Sequence, residues 1–217
     1  KIDAAVKDER RSIAETDRDK NRKPLETLEF FRLDDQMTVL EIMPGGGWYT
    51  NILGPVLAER GRLLLAIGAE RTAERIIGQP GFESTELIAF DRSNFTRSTT
   101  SRAMNVPEFS LGVKKVDLVL TFRNLHNFDE EGRHNMNKAV FKVLKSGGHY
   151  GIIDHTRRHM EADHNEVWRR MDPVQVIKEI EAAGFEFVDY SNLHYRADDE
   201  LRYEVGRKSV SGNTDRF

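Results

Sequence analysis

The chain has 217 residues, with 33 Lys plus Arg against 36 Asp plus Glu and a formal net charge of -3. That balance excludes a strongly basic nucleic-acid binder, and the absence of cysteine excludes disulfides, thiolate metal sites and cysteine nucleophiles. With 38% hydrophobic and 32% charged residues, and no apolar run near the ~18 residues a bilayer span needs, it reads as one soluble domain with a small appendage.

Residues 1–23 are highly charged, with large apolar residues only at Ile2, Val6 and Ile13, and read as an exposed helix or arm ending at Pro24. Folded over a site as a lid, this arm would bring Arg18 and Arg22 to an acidic substrate; a solvated face is the favoured reading. The remainder, 24–217, reads as a single domain. Leu25, Leu28, Phe30 and Phe31 predict a short amphipathic helix. Thr38 to Met43 predicts a buried strand, and Trp48 to Arg60 a helix interrupted at Pro55 and ended by Gly61. Further strands are expected at 62–67, 86–90, 116–122, 149–153 and 185–190. Helices are expected at 71–77, at 130–144 with a Ser146-Gly147-Gly148 cap, and at 173–183. The last starts from an Asp172 cap with Pro173 first, and ends at Gly184. Residues 92–115, with the Ser/Thr patch Ser98 to Ser101, read as irregular loop. Strands alternating with helices predict an α/β fold with a doubly wound, mostly parallel sheet.

The sharpest feature is Glu41-Ile42-Met43-Pro44-Gly45-Gly46-Gly47-Trp48-Tyr49-Thr50, joining the first strand to the first helix of the sheet. Glycines there let a ligand approach the backbone, and a helix start offers free N–H groups. In an open α/β sheet this is the carboxyl edge, where ligands bind. The loop lacks the third glycine of a dinucleotide fingerprint and the Gly-Lys-Ser/Thr of a Walker loop. Tyr49 follows the glycines and could line a cofactor pocket, whereas Trp48 reads as core.

The segment VLEIMPGGGWYT resembles motif I of class I S-adenosylmethionine-dependent methyltransferases. More narrowly, it resembles a bacterial group of predicted methyltransferases marked by a Pro-Gly-Gly-Gly-Trp-Tyr-Thr loop. RKPLETLEFF at 22–31, DLVLTFRNLHNF at 117–128, VLKSGGHYGIIDHTRR at 143–158 and RMDPVQVIKEIEAAGFEFV at 170–188 match that group in order. The resemblance implies a Rossmann-like fold and S-adenosylmethionine as cofactor. By the resemblance, Glu41 is the acid that orders the loop, Pro44, Gly45, Gly46 and Gly47 lie beneath the cofactor, and Met43 takes the usual place of a first glycine. Glu70 resembles the acid that binds the ribose hydroxyls, and Asp91 the acid that meets the adenine amino group. Asn124 and His126 follow the fourth strand, where this fold places reactive residues. The fold's last strand is antiparallel, and here Thr214 to Phe217 stand where it begins, so it reads as truncated.

Carboxylates suit ribose diols and an amine because they accept hydrogen bonds. Methyl transfer is an in-line displacement in which positioning dominates, helped by a base when the nucleophile carries a proton. His126 is the candidate base, with an ordinary pKa suited to neutral pH. Asp154 and His155 follow the fifth strand and offer a second base, with Asp154 orienting an imidazole. A metal cluster of His155, His159, His164, Asp154 and Asp163 is weighed and set aside, because the surrounding charges read as solvated; no metal is expected.

The expected function is methyl transfer to a small-molecule acceptor, without nucleic-acid partners or membrane span. The alternatives are a non-catalytic nucleoside-binding module and, less favoured, a nicotinamide-dependent oxidoreductase. Thiol-dependent methylation is disfavoured because no cysteine is available. The chain starts at Lys1 rather than Met, leaving a removed leader open; the cytoplasm is slightly favoured over export. The acceptor and the oligomeric state are not legible.

Overall fold

The computed structural model describes residues 1–99, 101–207 and 214–217, so Thr100 of the Ser/Thr patch lies outside the described residues. The chain divides into two compact units. The first joins Lys1–Arg92, Leu111–Phe122 and Val143–Gly151; the second joins Ser93–Ser110, Arg123–Lys142 and Ile152–Phe217.

The first unit opens with short helices α1 (Ile2–Val6), α2 (Ile13–Thr16) and α3 (Asp19–Arg22), followed by α4 (Pro24–Phe30). This segment is not the solvated arm its charges suggest. Arg11 and Arg22 are buried, and their guanidinium carbons lie 5.1 and 4.4 Å from the Trp48 ring centroid. Arg11 is neutralised by both oxygens of Asp19, at 2.8 and 2.7 Å. Trp48 Nε1 donates to the Glu15 carbonyl at 3.0 Å. The aromatic face attracts the cations, and their stems cover apolar surface.

β1 (Thr38–Ile42), α5 (Thr50–Leu57), β2 (Arg62–Ala66), α6 (Glu70–Ile76) and β3 (Thr85–Leu87) follow in the expected order, but α5 starts at Thr50 and runs unbroken through Pro55 rather than being interrupted there, and β3 is shorter than the 86–90 run suggested. β4 (Thr96–Arg97) and β5 (Met104–Asn105) form an antiparallel pair inside the 92–115 loop. β6 (Val116–Phe122) leads to α7 (Glu130–Val143), β7 (Leu144–Ile153) and α8 (Pro173–Ala182). The sheet order is β3-β2-β1-β6-β7, and β1 pairs in parallel with both β2 and β6, as β2 does with β3. Strand order thus doubles back on either side of β1, the doubly wound arrangement. Val39–Ile42 of β1 and Leu63–Ala66 of β2 are buried throughout and, Glu41 apart, apolar, because both faces are covered. Leu40, Leu63 and Leu65 of the strands and Ile52, Leu53 and Leu57 of α5 are at most 0% exposed.

Two further expectations fail. Ser146-Gly147-Gly148 does not cap α7; β7 begins directly at Leu144, and Lys145 pairs with Asp117 of β6 at 2.6 Å, laying these residues along the sheet. Phe185–Tyr190 forms no strand. The Phe185 ring instead packs edge-on against Phe141 at 5.1 Å, and Phe187, Val188 and Tyr190 stay exposed. Without a ladder partner, their alternation is not enough to make a strand.

In the second unit, Leu125, Met171 and Val176 form a small core with Ile152, Ile180 and Phe217. Asp172 caps α8 by accepting from Val174 N at 2.9 Å, with Pro173 at the first position. Residues 215–217 pair antiparallel with 154–156: Asp154 and Phe217 exchange both backbone bonds at 3.1 Å. No described helix is long and apolar enough to cross a membrane.

Trp48→Ala removes a buried ring, two cation–π partners and one hydrogen bond. It is expected to destabilise the protein by about 3–5 kcal/mol, read as a lowered urea midpoint.

Candidate functional site

The first constellation lies at the carboxyl end of β1, in the first unit. The chain leaves β1 in the left-handed region, with φ 53° at Met43, 58° at Gly45 and 78° at Gly47. Met43, where a glycine would be unstrained, is held by its N–H on the Ala66 carbonyl at 3.0 Å, and this conformation costs a non-glycine residue on the order of 1 kcal/mol. A Cβ added at Gly45 or Gly46 would meet nothing within 4 Å, whereas one at Gly47 would strike Thr72 and Arg75 within 2.8 Å. The same two side chains tie the loop to α6. Thr72 Oγ1 donates to the Gly45 carbonyl at 2.7 Å, and Arg75 Nη2 to the Gly46 carbonyl at 3.0 Å. The glycines therefore form a fixed loop, exposed at Gly45 and Gly46.

Glu41 is 1% exposed and accepts from Thr50 Oγ1 at 2.6 Å. Burial pushes its carboxyl up to about 7, against a smaller opposing effect of the Thr50 hydroxyl. Pro44 is half-buried beside the loop and accepts from Gly47 N at 2.9 Å. Tyr49 does not face open space. It is 5% exposed and stacks on Phe122 with ring centroids 3.6 Å apart, so its ring belongs to the core. Glu70 opens α6 and is exposed, as is Asp91 beyond β3. The Arg92 guanidinium lies against Gly68, where a Cβ would come within 2.7 Å. Thr50, Thr72, Arg75 and Arg92 were not singled out in the sequence. Thr72 and Arg75 lie one helical turn apart, the only available signal that they share a face.

The second constellation lies wholly in the second unit. Asp154 is fully buried and gathers three donors: His126 Nδ1 at 2.6 Å, His126 N at 3.2 Å and His155 N at 2.8 Å. Burial alone would raise its carboxyl, but the His126 imidazole, with help from His155, holds it below the usual value. An ionised carboxylate only accepts, so His126 Nδ1 donates to Asp154, and the carboxylate fixes the orientation of the imidazole. His155 is 4% exposed and turns its Nδ1 to Thr214 Oγ1 at 2.7 Å. Burial first, then the charges of His126, Arg123 and Arg216, push His155 well below its ordinary value, against the opposing pull of Asp154. His126, Asp154 and His155 are thus brought together, with Asp154 orienting His126 rather than its sequence neighbour. Thr214, also not singled out in the sequence, completes the group. Asn124 is buried and begins the turn Leu125–Asn127 in this same unit.

His159 bonds Asp172, His164 lies 3.6 Å from Glu161, and Asp163 pairs with Arg157. Among the described residues no three His, Asp or Glu side chains are arranged to hold a metal.

The fold is the Rossmann-like α/β fold of S-adenosylmethionine-dependent methyltransferases. No protein-family model matches the chain, and no curated protein does. It is similar to a SAM-dependent methyltransferase from Aquifex aeolicus at 18% identity, over 75% of this chain and 79% of that one, with a TM-score of 0.55. The glycopeptide N-methyltransferase MtfA, solved with S-adenosylmethionine, matches at 16% identity over 88% of this chain and 83% of its own, with a TM-score of 0.56. The [4+2]-cyclase SpnF matches at 19% identity and a TM-score of 0.55, over 84% of this chain and 62% of its own. At such identities the likeness is one of fold, and the fold alone does not choose a reaction.

Glu41 binds its proton more tightly folded than unfolded, so its stabilising effect is present below pH 4.5 and lost as pH rises toward 7. The loss attributable to this group is about 3 kcal/mol. Urea midpoints measured from pH 4.5 to 7.5 are expected to fall less steeply in Glu41→Gln than in the wild type.

Proposed function

We propose that the chain transfers a methyl group from S-adenosylmethionine to a small-molecule acceptor. The observation that carries this reading is the glycine loop after β1: open above Gly45 and Gly46, and fixed from behind by Thr72 and Arg75. A loop ordered in advance binds without a further ordering cost. Gly45, Gly46 and Gly47, with Pro44, would lie beneath the cofactor. Glu70 and Asp91, both exposed, are assigned its hydroxyls and adenine amine, and Glu41 stands behind the loop as its ordering acid. Bound S-adenosylmethionine supplies an electrophilic methyl group on a sulfonium. His126 is assigned the acceptor's proton, received at Nε2, with Asp154 holding the imidazole in the required tautomer and stabilising its charged form. Asn124 is assigned to the cofactor, and His155 with Asp154 to a second catalytic base.

Calorimetric titration of the full chain with S-adenosylmethionine, S-adenosylhomocysteine and NAD tests the reading. Saturable binding of the two sulfur nucleosides is expected, with none of NAD. Gly45→Val places a branched side chain at φ 58° and is expected to weaken binding at least tenfold, about 1.4 kcal/mol or more. A folded wild type that binds neither nucleoside would sink the proposal. With an acceptor in hand, Asp154→Asn is expected to lower kcat by about 10²–10⁴ while leaving S-adenosylhomocysteine affinity within a few-fold. Unimpaired turnover would remove the base from the mechanism.

A further inference from the structure

The second unit carries a cluster that the histidine group does not use. Trp168 is half-buried, just after the turn Asn165–Val167. The Arg102 and Arg169 guanidinium carbons lie 4.5 and 4.2 Å from its ring centroid. A guanidinium over an aromatic face is held by the ring and keeps its N–H rim free for other partners. Two cations at one ring also repel each other, and little in the structure answers them. Glu204 lies 3.6 Å from Arg102, a long contact between groups 38% and 51% exposed. Among the described residues, no carboxylate comes within ion-pair distance of Arg169.

The platform beneath these cations is rigid. Arg170, adjacent in the chain, is fully buried and binds both oxygens of Asp199 at 3.0 Å, with further bonds to the Thr156 and Tyr203 carbonyls. The segment so anchored returns to the tryptophan, where Val205 N donates to the Trp168 carbonyl at 3.4 Å. It also carries Arg207, stacked at 4.1 Å over Tyr203. Between these anchors Arg169 is held at φ 68°, a left-handed conformation that strains a residue with a Cβ. A rigid, strained and under-neutralised pair of guanidinium groups on one ring is arranged for a negative partner.

We propose that Arg102 and Arg169, stacked on Trp168, bind an oxyanion, the carboxylate or phosphate of a small molecule. The chemistry is charge-assisted hydrogen bonding, in which a planar guanidinium fork donates to oxygens that only accept. The proposal stands independently of methyl transfer.

The test is calorimetric titration of the full chain at low ionic strength, with inorganic phosphate in one arm and citrate in the other. Saturable binding in either arm is expected, and the arm that binds names the anion. Arg102→Gln and Arg169→Gly are each expected to weaken it at least tenfold. Glycine accepts the positive φ at position 169, so the second variant removes the cation without straining the backbone. Arg62→Gln, which breaks the exposed pair with Glu86, is expected to bind as wild type does. Circular dichroism shows which variants are folded, and either folded variant carries the test. No saturable binding of phosphate or citrate by the wild type overturns the proposal, as does binding that both variants retain. Tighter binding of a single-stranded RNA, lost in the same variants, would replace it with a nucleic-acid surface.

Discussion

Parallel pairing of β1 on both of its edges is the constraint on which the first unit depends. Leu40 stands opposite Leu64 on one side and Val119 on the other, and Ile42 opposite Ala66 and Thr121. A strand held this way cannot slip by one residue without turning every side chain to the other face. The place where the chain leaves the sheet is therefore set, and the left-handed turn at Met43 begins from a fixed point. α5 begins a few residues later, its Ile52 and Leu53 packed in the same core as Leu63 and Leu65. Loop position, helix start and the burial of Glu41 all follow from that register.

The two buried carboxylates show how surroundings decide charge. Glu41 has a single neutral donor, the Thr50 hydroxyl, and burial lifts its proton affinity. Asp154 is at least as deeply buried, but it collects two backbone N–H groups and an imidazole, which together outweigh desolvation. The two acids are thereby pushed in opposite directions, Glu41 up to about 7 and Asp154 below its usual value. The number and charge of the donors, not depth, make the difference.

Much of the architecture was legible because it rests on local chemistry. The apolar runs at 38–42, 62–66 and 116–122, the Pro173 start of α8 and the glycine loop are each written in consecutive residues. What was missed depends on partners far along the chain. Phe185 to Tyr190 has a strand-like composition, yet a strand needs a neighbour, and Phe141 took the first aromatic instead. Residues 1–23 look solvated by composition, but Trp48 gives Arg11 and Arg22 an aromatic face to lie on. In the candidate site, His126 and Asp154 stood out by their positions after strands. The pairing of Asp154 with His126, and of His155 with Thr214, joins residues 28 and 59 positions apart, and no local pattern announces either contact.

The tie between the glycine loop and α6 has a consequence for shape. The carbonyls of Gly45 and Gly46 are taken by Thr72 and Arg75, and that of Gly47 by Asn51 N at 2.9 Å. Three successive carbonyls are spent on the protein's own helices and Gly47 N on the Pro44 carbonyl, so the loop is held in shape from behind and from within. The contour of the loop is in this way decided by two side chains of a different helix, so a change at Thr72 or Arg75 reshapes a surface that neither residue forms.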